Sequence, residues 1–119
     1  MSVIVTVLND KRVSRTLSSL QRQSLLPFEI LVADGGSTDG TFELASTYAQ
    51  MDPRIVPLRL PGTIPETRNQ ALRKVRGEFV AFLDADEEAP ESWLKALLAP
   101  FSDPKVGFTG GPTPAMPGT

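Results

Sequence analysis

Short apolar runs rich in β-branched residues alternate with segments of helical periodicity along this chain of 119 residues. The runs lie at residues 3–8, 30–33 and 79–83. Such runs are typical of strands that are buried on both faces of a parallel sheet. Between the first two runs, Val13, Leu17 and Leu20 recur at helical spacing. This spacing predicts a helix over about residues 11–24, and therefore a βαβ unit.

A second helix and a fourth strand follow in the same alternation. The helix is predicted to be capped by Asp39 or Thr41 and to end before Pro53. Residues 54–58 then resemble a short strand. Pro57 within it has no backbone donor, so we expect this strand at the edge of the sheet.

Two more helices are predicted in the second half of the chain. A loop at residues 60–65 precedes a helix that carries Ala71, Leu72 and Val75, with Gly77 as its left-handed C-terminal cap. Pro90 suits the first turn of a last helix that ends near Pro100. A final strand is predicted at residues 106–109.

This order of elements predicts an α/β fold with a Rossmann-like, doubly wound and mostly parallel sheet. The length suits one domain, which we place at residues 1–109. Residues 110–119 contain three prolines and three glycines, and we expect a tail or linker there.

Composition excludes several functional classes. The chain has no cysteine and no histidine, so any metal ion must be held by oxygen. A formal net charge of −2 does not favour binding to nucleic acid. No segment approaches the roughly 20 apolar residues of a membrane-spanning helix. We expect a cytoplasmic protein without a transmembrane segment, and both membrane-surface association and oligomerisation stay open.

Polar residues follow three of the predicted strands. They are Asn9 and Asp10 after the first, residues 34–39 after the second, and residues 84–88 after the third. Ligands of open parallel sheets bind outside the carboxyl ends of the strands, where the strand order reverses. We therefore expect these polar residues to meet in one crevice.

The pair Asp84 and Asp86 is the first candidate for chemistry. If the chain stays extended, both carboxylates leave the same face roughly 7 Å apart. Such a pair suits Mg²⁺ or Mn²⁺, which complete their coordination with water and substrate phosphate. The alternative is structural: Glu87, Glu88 and Glu91 stabilise the start of the next helix, and Asp84 is a turn residue.

The loop at residues 34–41 and the residue Arg68 are weaker candidates. The adjacent glycines Gly35 and Gly36 permit close approach of a ligand, and Asp34 is suited to accept a hydrogen bond from a base or ribose. Arg68 is suited to bind a diphosphate oxygen. An ordinary turn and a solvated helix face are the respective structural alternatives.

Taken together, four segments resemble family 2 glycosyltransferases of GT-A fold. They are VIVTVLN, FEILVADGGSTDGT, ETRNQAL and RGEFVAFLDADEEAPESWL, in unbroken order over residues 2–98. The resemblance implies a GT-A-type sheet, truncated here, that binds a nucleoside diphosphate sugar. It also implies a divalent metal, Mn²⁺ or Mg²⁺, and transfer of the sugar to an unidentified acceptor.

The resemblance also implies roles for individual residues. Thr6, Leu8, Asn9 and Asp34 flank the nucleobase and ribose. Asp84 contacts the ribose side and shares the metal, and Ala85 completes the nucleotide-sugar contact. Asp86 binds the metal on the diphosphate. Arg68 matches the Arg-Asn pair of the family near the donor.

The chain departs from the family pattern at two positions. Leu8 stands where many members carry an aromatic residue, and Gly35 stands where many carry a second Asp that can read uracil. GDP and dTDP donors are therefore as open as UDP. The general base of inverting members lies beyond the end of this chain, so no catalytic residue is assigned.

Two other functions stay open at this point. A nucleotidyltransferase would need a glycine-rich, basic phosphate loop after the first strand, and residues 9–12 contain no glycine. A truncated module that binds a nucleotide without transferring a sugar would show donor binding without turnover.

Overall fold

The computed structural model describes residues 1–77 and 79–98. The strands are β1 (Ser2–Val7), β2 (Glu29–Asp34), β3 (Ile55–Arg59) and β4 (Val80–Asp84). The helices are α1 (Val13–Gln21), α2 (Thr41–Met51), α3 (Ile64–Leu72) and α4 (Trp93–Leu98). In this described part of the chain, no helix is both long and apolar enough to cross a bilayer. The predicted helix end near Pro100, the strand at 106–109, the domain boundary at 109 and the tail at 110–119 lie outside the described residues.

The four strands form one parallel sheet in the order β3-β2-β1-β4. This confirms the predicted α/β fold, with every described strand parallel. β3 is an edge strand, as Pro57 predicted, and Pro57 pairs in register with Val32 of β2. A residue without a backbone donor is tolerated there because no strand of the described residues pairs with the other side of β3.

The order of the strands creates a crevice beside β1. From β1 the chain adds β2 and β3 on one side and then returns to add β4 on the other side. The strand order therefore reverses between β1 and β4, which are paired in register from Ser2–Val80 to Thr6–Asp84. Loops that leave neighbouring strands in opposite directions leave room for a ligand at this point.

The sheet is covered on both faces, so β1 is fully buried. Val3 and Val5 point into a large apolar cluster that also contains residues of α1, α2 and α4. Ile4 points to the opposite face, where it packs near Ala71 of α3. Because side chains alternate along a strand, Thr6 lies on the α3 face with Ile4. The same alternation puts Asp84 of β4 on that face.

Most predicted boundaries shift by one to three residues. α1 begins at Val13 and ends at Gln21, so the prediction of residues 11–24 was too long. Asp10 to Arg12 form a turn before the helix, in which the Val13 amide donates to the Asp10 carbonyl. β1 ends one residue before Leu8, and β3 and β4 each begin and end one residue later than predicted.

Two predicted helix caps were wrong. Gly40, with φ of 96°, is the N-cap of α2, and Asp39 instead accepts a hydrogen bond from the Thr41 amide. α3 ends at Leu72, so Gly77 does not cap it. Gly77 is required for another reason: a Cβ atom there would lie 2.5 Å from Ser2 Oγ.

Candidate functional site

A cleft of about 240 Å³ opens at the carboxyl ends of β1 and β4. Its lining residues are Thr6, Val7, Leu8, Asp10, Ile64, Asp84, Ala85 and Asp86. A smaller cavity of about 80 Å³ shares part of this wall and extends to Gly35 and Gly62. The structure therefore brings five of the predicted site residues to one cleft. They are Thr6, Leu8, Asp84, Ala85 and Asp86.

Three carboxylates form an acidic cluster at the edge of this cleft. One oxygen from each of Asp84, Asp86 and Glu87 lies within 4.8 Å of the others. The chain turns at Ala85 and Asp86 instead of staying extended, so this turn gathers the carboxylates. The extended conformation for which a spacing of roughly 7 Å was expected is therefore not found. Glu87 joins the cluster, although only Asp84 and Asp86 were predicted as metal ligands.

Asp84 is held by neighbours from two elements. Its Oδ1 accepts a hydrogen bond of 2.8 Å from the Thr6 hydroxyl of β1. The same oxygen lies 3.9 Å from Arg68 Nη2 of α3. The Arg68 guanidinium is 5.2 Å from the ring centroid of Phe82, the residue two positions before Asp84 on the same face of β4. Arg68 therefore stands beside the acidic cluster, and its role in binding a diphosphate stays a prediction.

Asp34 is fully buried at the end of β2. Its Oδ1 accepts hydrogen bonds from the backbone amides of Gly36, at 2.8 Å, and Ser37, at 2.6 Å. Its Oδ2 is buried and has no hydrogen-bond partner among the described residues. A buried carboxylate oxygen without a partner costs free energy, so Oδ2 is suited to accept a hydrogen bond from a ligand or a water molecule.

Asn9 connects the loops that follow β1 and β2. Its backbone adopts φ of 48°, a left-handed conformation that asparagine tolerates better than most residues. The side-chain Oδ1 of Asn9 accepts a hydrogen bond from the backbone amide of Thr38, and the backbone amide of Asn9 donates to Ser37 Oγ, each at 2.8 Å. The side-chain oxygen of Asn9 is thus used within the protein. No sequence pattern indicates the role of Ser37, because its hydrogen bond to Asn9 joins two loops that are distant in the chain.

Cationic groups flank the cleft on a second side. Asp10 forms a bidentate pair with Arg12, with distances of 2.9 Å from Nε and 2.7 Å from Nη2. These hydrogen bonds lower the pKa of Asp10 from its ordinary value. They also raise the pKa of Arg12, and the negative charge of Asp86 raises it by a smaller amount. Arg68 thus lies beside Asp84, and Arg12 lies within electrostatic range of Asp86.

Comparison with known proteins identifies the family that carries this arrangement. The sequence profile of the family described as Glycosyl transferase family 2 matches residues 2–117. The chain belongs to glycosyl transferase family 2. The resemblance inferred from the sequence is thereby confirmed, and the crevice described above is that of a GT-A-type sheet.

Two solved structures and one curated relative illustrate the similarity. The mannosyltransferase PcManGT from Pyrobaculum calidifontis, in complex with GDP-Man and Mn²⁺, aligns with 30% identity and a TM-score of 0.77 over 89% of this chain and 33% of its own. Staphylococcus aureus TarS in complex with UDP aligns with 33% identity and a TM-score of 0.69 over 82% of this chain and 30% of its own. The putative glycosyltransferase EpsH from Bacillus subtilis is 31% identical over 105 residues, 87% of this chain and 30% of that protein. The chain therefore spans about a third of the length of PcManGT, of EpsH and of the TarS 1-349 chain in that structure, and 18% of the length of the S. aureus protein TarS.

Proposed function

We propose that this chain forms the donor-binding part of a glycosyltransferase that moves a sugar from a nucleoside diphosphate sugar to an acceptor. The observation that carries this proposal is the acidic cluster beside Arg68 at the point where the strand order reverses. A diphosphate leaving group needs positive charge close by, and a divalent cation together with an arginine supplies it. Membership of glycosyl transferase family 2 supports this reading.

The chemistry of the acidic cluster fits a hard divalent cation. Asp84 and Asp86 are the proposed metal ligands, and Glu87 is added because its carboxylate lies within the same 4.8 Å. All three donors are carboxylate oxygens, the ligands that Mg²⁺ and Mn²⁺ prefer. A cation bound here stabilises the negative charge of the departing diphosphate. PcManGT was solved with Mn²⁺, which supports the same class of metal in this chain.

The remaining site residues have proposed roles that follow from their contacts. The free oxygen of Asp34 accepts a hydrogen bond from the base or ribose. Thr6 orients Asp84 on the ribose side through its hydroxyl. Arg68 binds a diphosphate oxygen, and Asn9 acts by holding the loop after β2.

Leu8 and Ala85 complete the proposed contact surface for the donor. Leu8 is 50% exposed and lines both cavities, so it offers an apolar surface to a base. Ala85 lies between the two metal-binding aspartates and lines the larger cavity. The donor base is left open between uracil, guanine and thymine, because the related structures were solved with UDP and with GDP-Man.

A nucleotidyltransferase is not favoured by the loop after β1. Residues 9–12 contain no glycine and are held by the Asp10–Arg12 pair and the bond from Thr38 to Asn9. This loop therefore lacks the glycine-rich sequence of the loops that cradle a triphosphate. The relatives named above are glycosyltransferases and not nucleotidyltransferases.

Thermal unfolding with added nucleotides tests the proposal. The chain is melted with UDP, GDP, dTDP or CDP, each with and without Mn²⁺ or Mg²⁺. A ligand present at 100 times its dissociation constant stabilises the folded state by about 2.7 kcal/mol. We expect one nucleotide to raise the melting temperature only when metal is present. Asp86→Ala is expected to abolish this shift because it removes a proposed metal ligand.

Glu91→Ala is the matched control for Asp86→Ala. Glu91 is an exposed carboxylate in the same segment and lies outside the acidic cluster, so its loss is expected to leave the shift unchanged. Absence of any metal-dependent shift in the wild-type chain would refute donor binding. Binding without sugar transfer or donor hydrolysis would favour the module that binds a nucleotide without turnover.

A further inference from the structure

A row of buried polar side chains runs along one face of α1 and the residues just after it. Thr16, Ser19 and Gln23 are 0%, 2% and 4% exposed. Their spacing of three and four residues puts them on one side of the helix. All three hydrogen bond to a single segment, residues 85–94, which follows β4 and carries Asp86 and Glu87 of the acidic cluster.

Thr16 contacts the turn that contains Asp86. Its Oγ1 lies 2.9 Å from the carbonyl oxygen of Ala85 and 2.6 Å from the carbonyl oxygen of Glu87. The single hydroxyl proton is therefore shared between two carbonyl groups, one on each side of Asp86. This contact comes from the opposite side of the sheet to Thr6 and Arg68, which hold Asp84.

Ser19 and Gln23 extend the same contact along the segment. Ser19 Oγ donates to the carbonyl of Thr16 and accepts from the Ala89 amide at 3.1 Å. Gln23 Nε2 donates to the Pro90 carbonyl at 2.6 Å, and its Oε1 accepts from the Leu94 amide at 2.9 Å. The buried polar atoms of these side chains thus have partners on the backbone of residues 89–94.

Side-chain partners matter in this segment because part of it lies outside regular structure. Residues 85–90 form a turn, a single bridge and irregular chain between β4 and α4. Buried carbonyl and amide groups outside regular structure must be paired elsewhere. A valine in place of Thr16 would remove the hydroxyl that bonds to the carbonyls of Ala85 and Glu87, and with it one of the contacts that hold the turn at Asp86.

We infer that Thr16 is a positioning residue for the metal site. Its hydroxyl holds the backbone on both sides of Asp86, and this sets the distances between the Asp84, Asp86 and Glu87 carboxylates before a cation binds. The inference rests on the proposed function, in which this acidic cluster binds Mn²⁺ or Mg²⁺. Residues that orient metal ligands typically change metal affinity about 10- to 100-fold when they are replaced.

Mn²⁺ binding to folded variants tests this role. The free Mn²⁺ signal in electron paramagnetic resonance is followed as wild type, Thr16→Val and Thr16→Ser are titrated. Thr16→Val keeps the volume but removes the hydroxyl, and we expect its Mn²⁺ affinity to fall about 10- to 100-fold. Thr16→Ser keeps the hydroxyl and is expected to restore most of the affinity.

Thr41→Val is the matched control, because Thr41 is also fully buried but its hydroxyl bonds to Asp39, away from the cluster. It is expected to bind Mn²⁺ as wild type does. The positioning role of Thr16 is overturned, and the metal site is kept, if Thr16→Val binds Mn²⁺ as tightly as wild type does. The same holds if Thr16→Val and Thr41→Val lose Mn²⁺ affinity equally. No Mn²⁺ binding by wild type overturns the metal site and the positioning role together.

A second variant keeps the test decisive if Thr16→Val does not fold. Ser19→Ala removes the hydroxyl that bonds to the Thr16 carbonyl and to the Ala89 amide. Circular dichroism establishes which variants are folded. A weaker Mn²⁺ affinity of folded Ser19→Ala supports the inference, and an unchanged affinity overturns it.

Discussion

Asp34 and Asp84, at the carboxyl ends of β2 and β4, show how two identical side chains acquire different properties. Asp34 is fully buried, with one oxygen bonded to two backbone amides and the other without a partner in the described residues. The Asp84 side chain is 54% exposed and stands near Thr6 and Arg68. Burial strengthens a directed hydrogen bond, whereas exposure favours a hydrated, exchangeable ligand. We therefore expect Asp34 to discriminate between donors and Asp84 to respond to metal.

Asp34→Asn tests the role of the free oxygen. The amide oxygen of asparagine can still accept from Gly36 and Ser37, so the loop is expected to keep its shape. The atom that replaces Oδ2 becomes an amide nitrogen, which donates a hydrogen bond and therefore cannot accept one from the nucleotide. We expect nucleotide affinity to fall about 10- to 100-fold, as measured by isothermal titration calorimetry in the presence of Mn²⁺.

Ser18→Ala is a suitable control for Asp34→Asn, because Ser18 bonds to Tyr48 on the outer side of α1, away from the crevice. It is expected to bind nucleotide as wild type does. An unchanged affinity of Asp34→Asn would mean that the buried oxygen meets water and not the donor.

At the scale of elements, the junction between α2 and β3 is fixed by a short-range ion pair. Asp52 accepts hydrogen bonds from Arg54 at 3.0 and 2.7 Å and from Gln21 of α1 at 3.2 Å. The Asp52 side chain is only 11% exposed. The hydrogen bonds from Arg54, more than that from Gln21, lower the pKa of Asp52 from 3.8 to about 2.

Acid is therefore expected to weaken this junction. A carboxyl group whose pKa is lowered by folding stabilises the folded state above its unfolded pKa, and this contribution is lost as the pH falls toward the folded value. For Asp52 the window runs from about pH 4 to about pH 2. We expect Asp52→Asn to lower the free energy of unfolding by about 2 kcal/mol at pH 7 and by much less at pH 2.

Urea unfolding at a series of pH values measures this difference. Glu43→Gln serves as the comparison, because the Glu43–Arg59 pair is exposed and such pairs contribute little. A constant difference between wild type and Asp52→Asn from pH 7 to pH 2 would contradict the assignment.

The elements differ in how far the sequence predicts them. The apolar runs that form β1, β2 and β4 were recognisable because strands buried on both faces carry few polar residues. The sequence also contains a signal for the start of α3 that was not used in the prediction. Thr63 and Glu66 form a reciprocal capping box there. The role of Gly77 was not readable, since it depends on contact with Ser2 at the far end of the chain.

The candidate site was also predicted only in part from the sequence. The residues of the Asp84–Asp86 motif were predicted from their position after a strand, and the structure gathers them at the crevice. Glu87 joins the acidic cluster through the turn at residues 85–86, and the sequence pattern did not indicate that turn. The contacts of Thr16 with that turn join residues about 70 positions apart, so no local pattern reveals them.

At the scale of the whole molecule, the two ends of the sheet have different roles. The carboxyl end is open and carries the acidic cluster. The amino end is closed by Glu29, which is buried and accepts from Ser2 Oγ at 2.7 Å and from the Arg76 amide at 2.6 Å. Burial raises the pKa of Glu29, but these hydrogen bonds outweigh it and hold the pKa below its ordinary value. Gly77 completes this network by donating to Ser2 Oγ.

Because the ends are separate, stability and ligand binding are expected to change independently. In Gly77→Ala the new Cβ would stand 2.5 Å from Ser2 Oγ and 2.9 Å from the Ser2 amide nitrogen, so the closed end must shift. Overpacking of this kind costs about 1–3 kcal/mol. We expect the urea midpoint of Gly77→Ala to fall while the Mn²⁺ affinity of the folded chain stays unchanged. Lys74→Ala, an exposed change in the same segment, is expected to alter neither quantity. A loss of Mn²⁺ affinity in folded Gly77→Ala would mean that the two ends are coupled through β1 and β4, and that the crevice depends on the closed end.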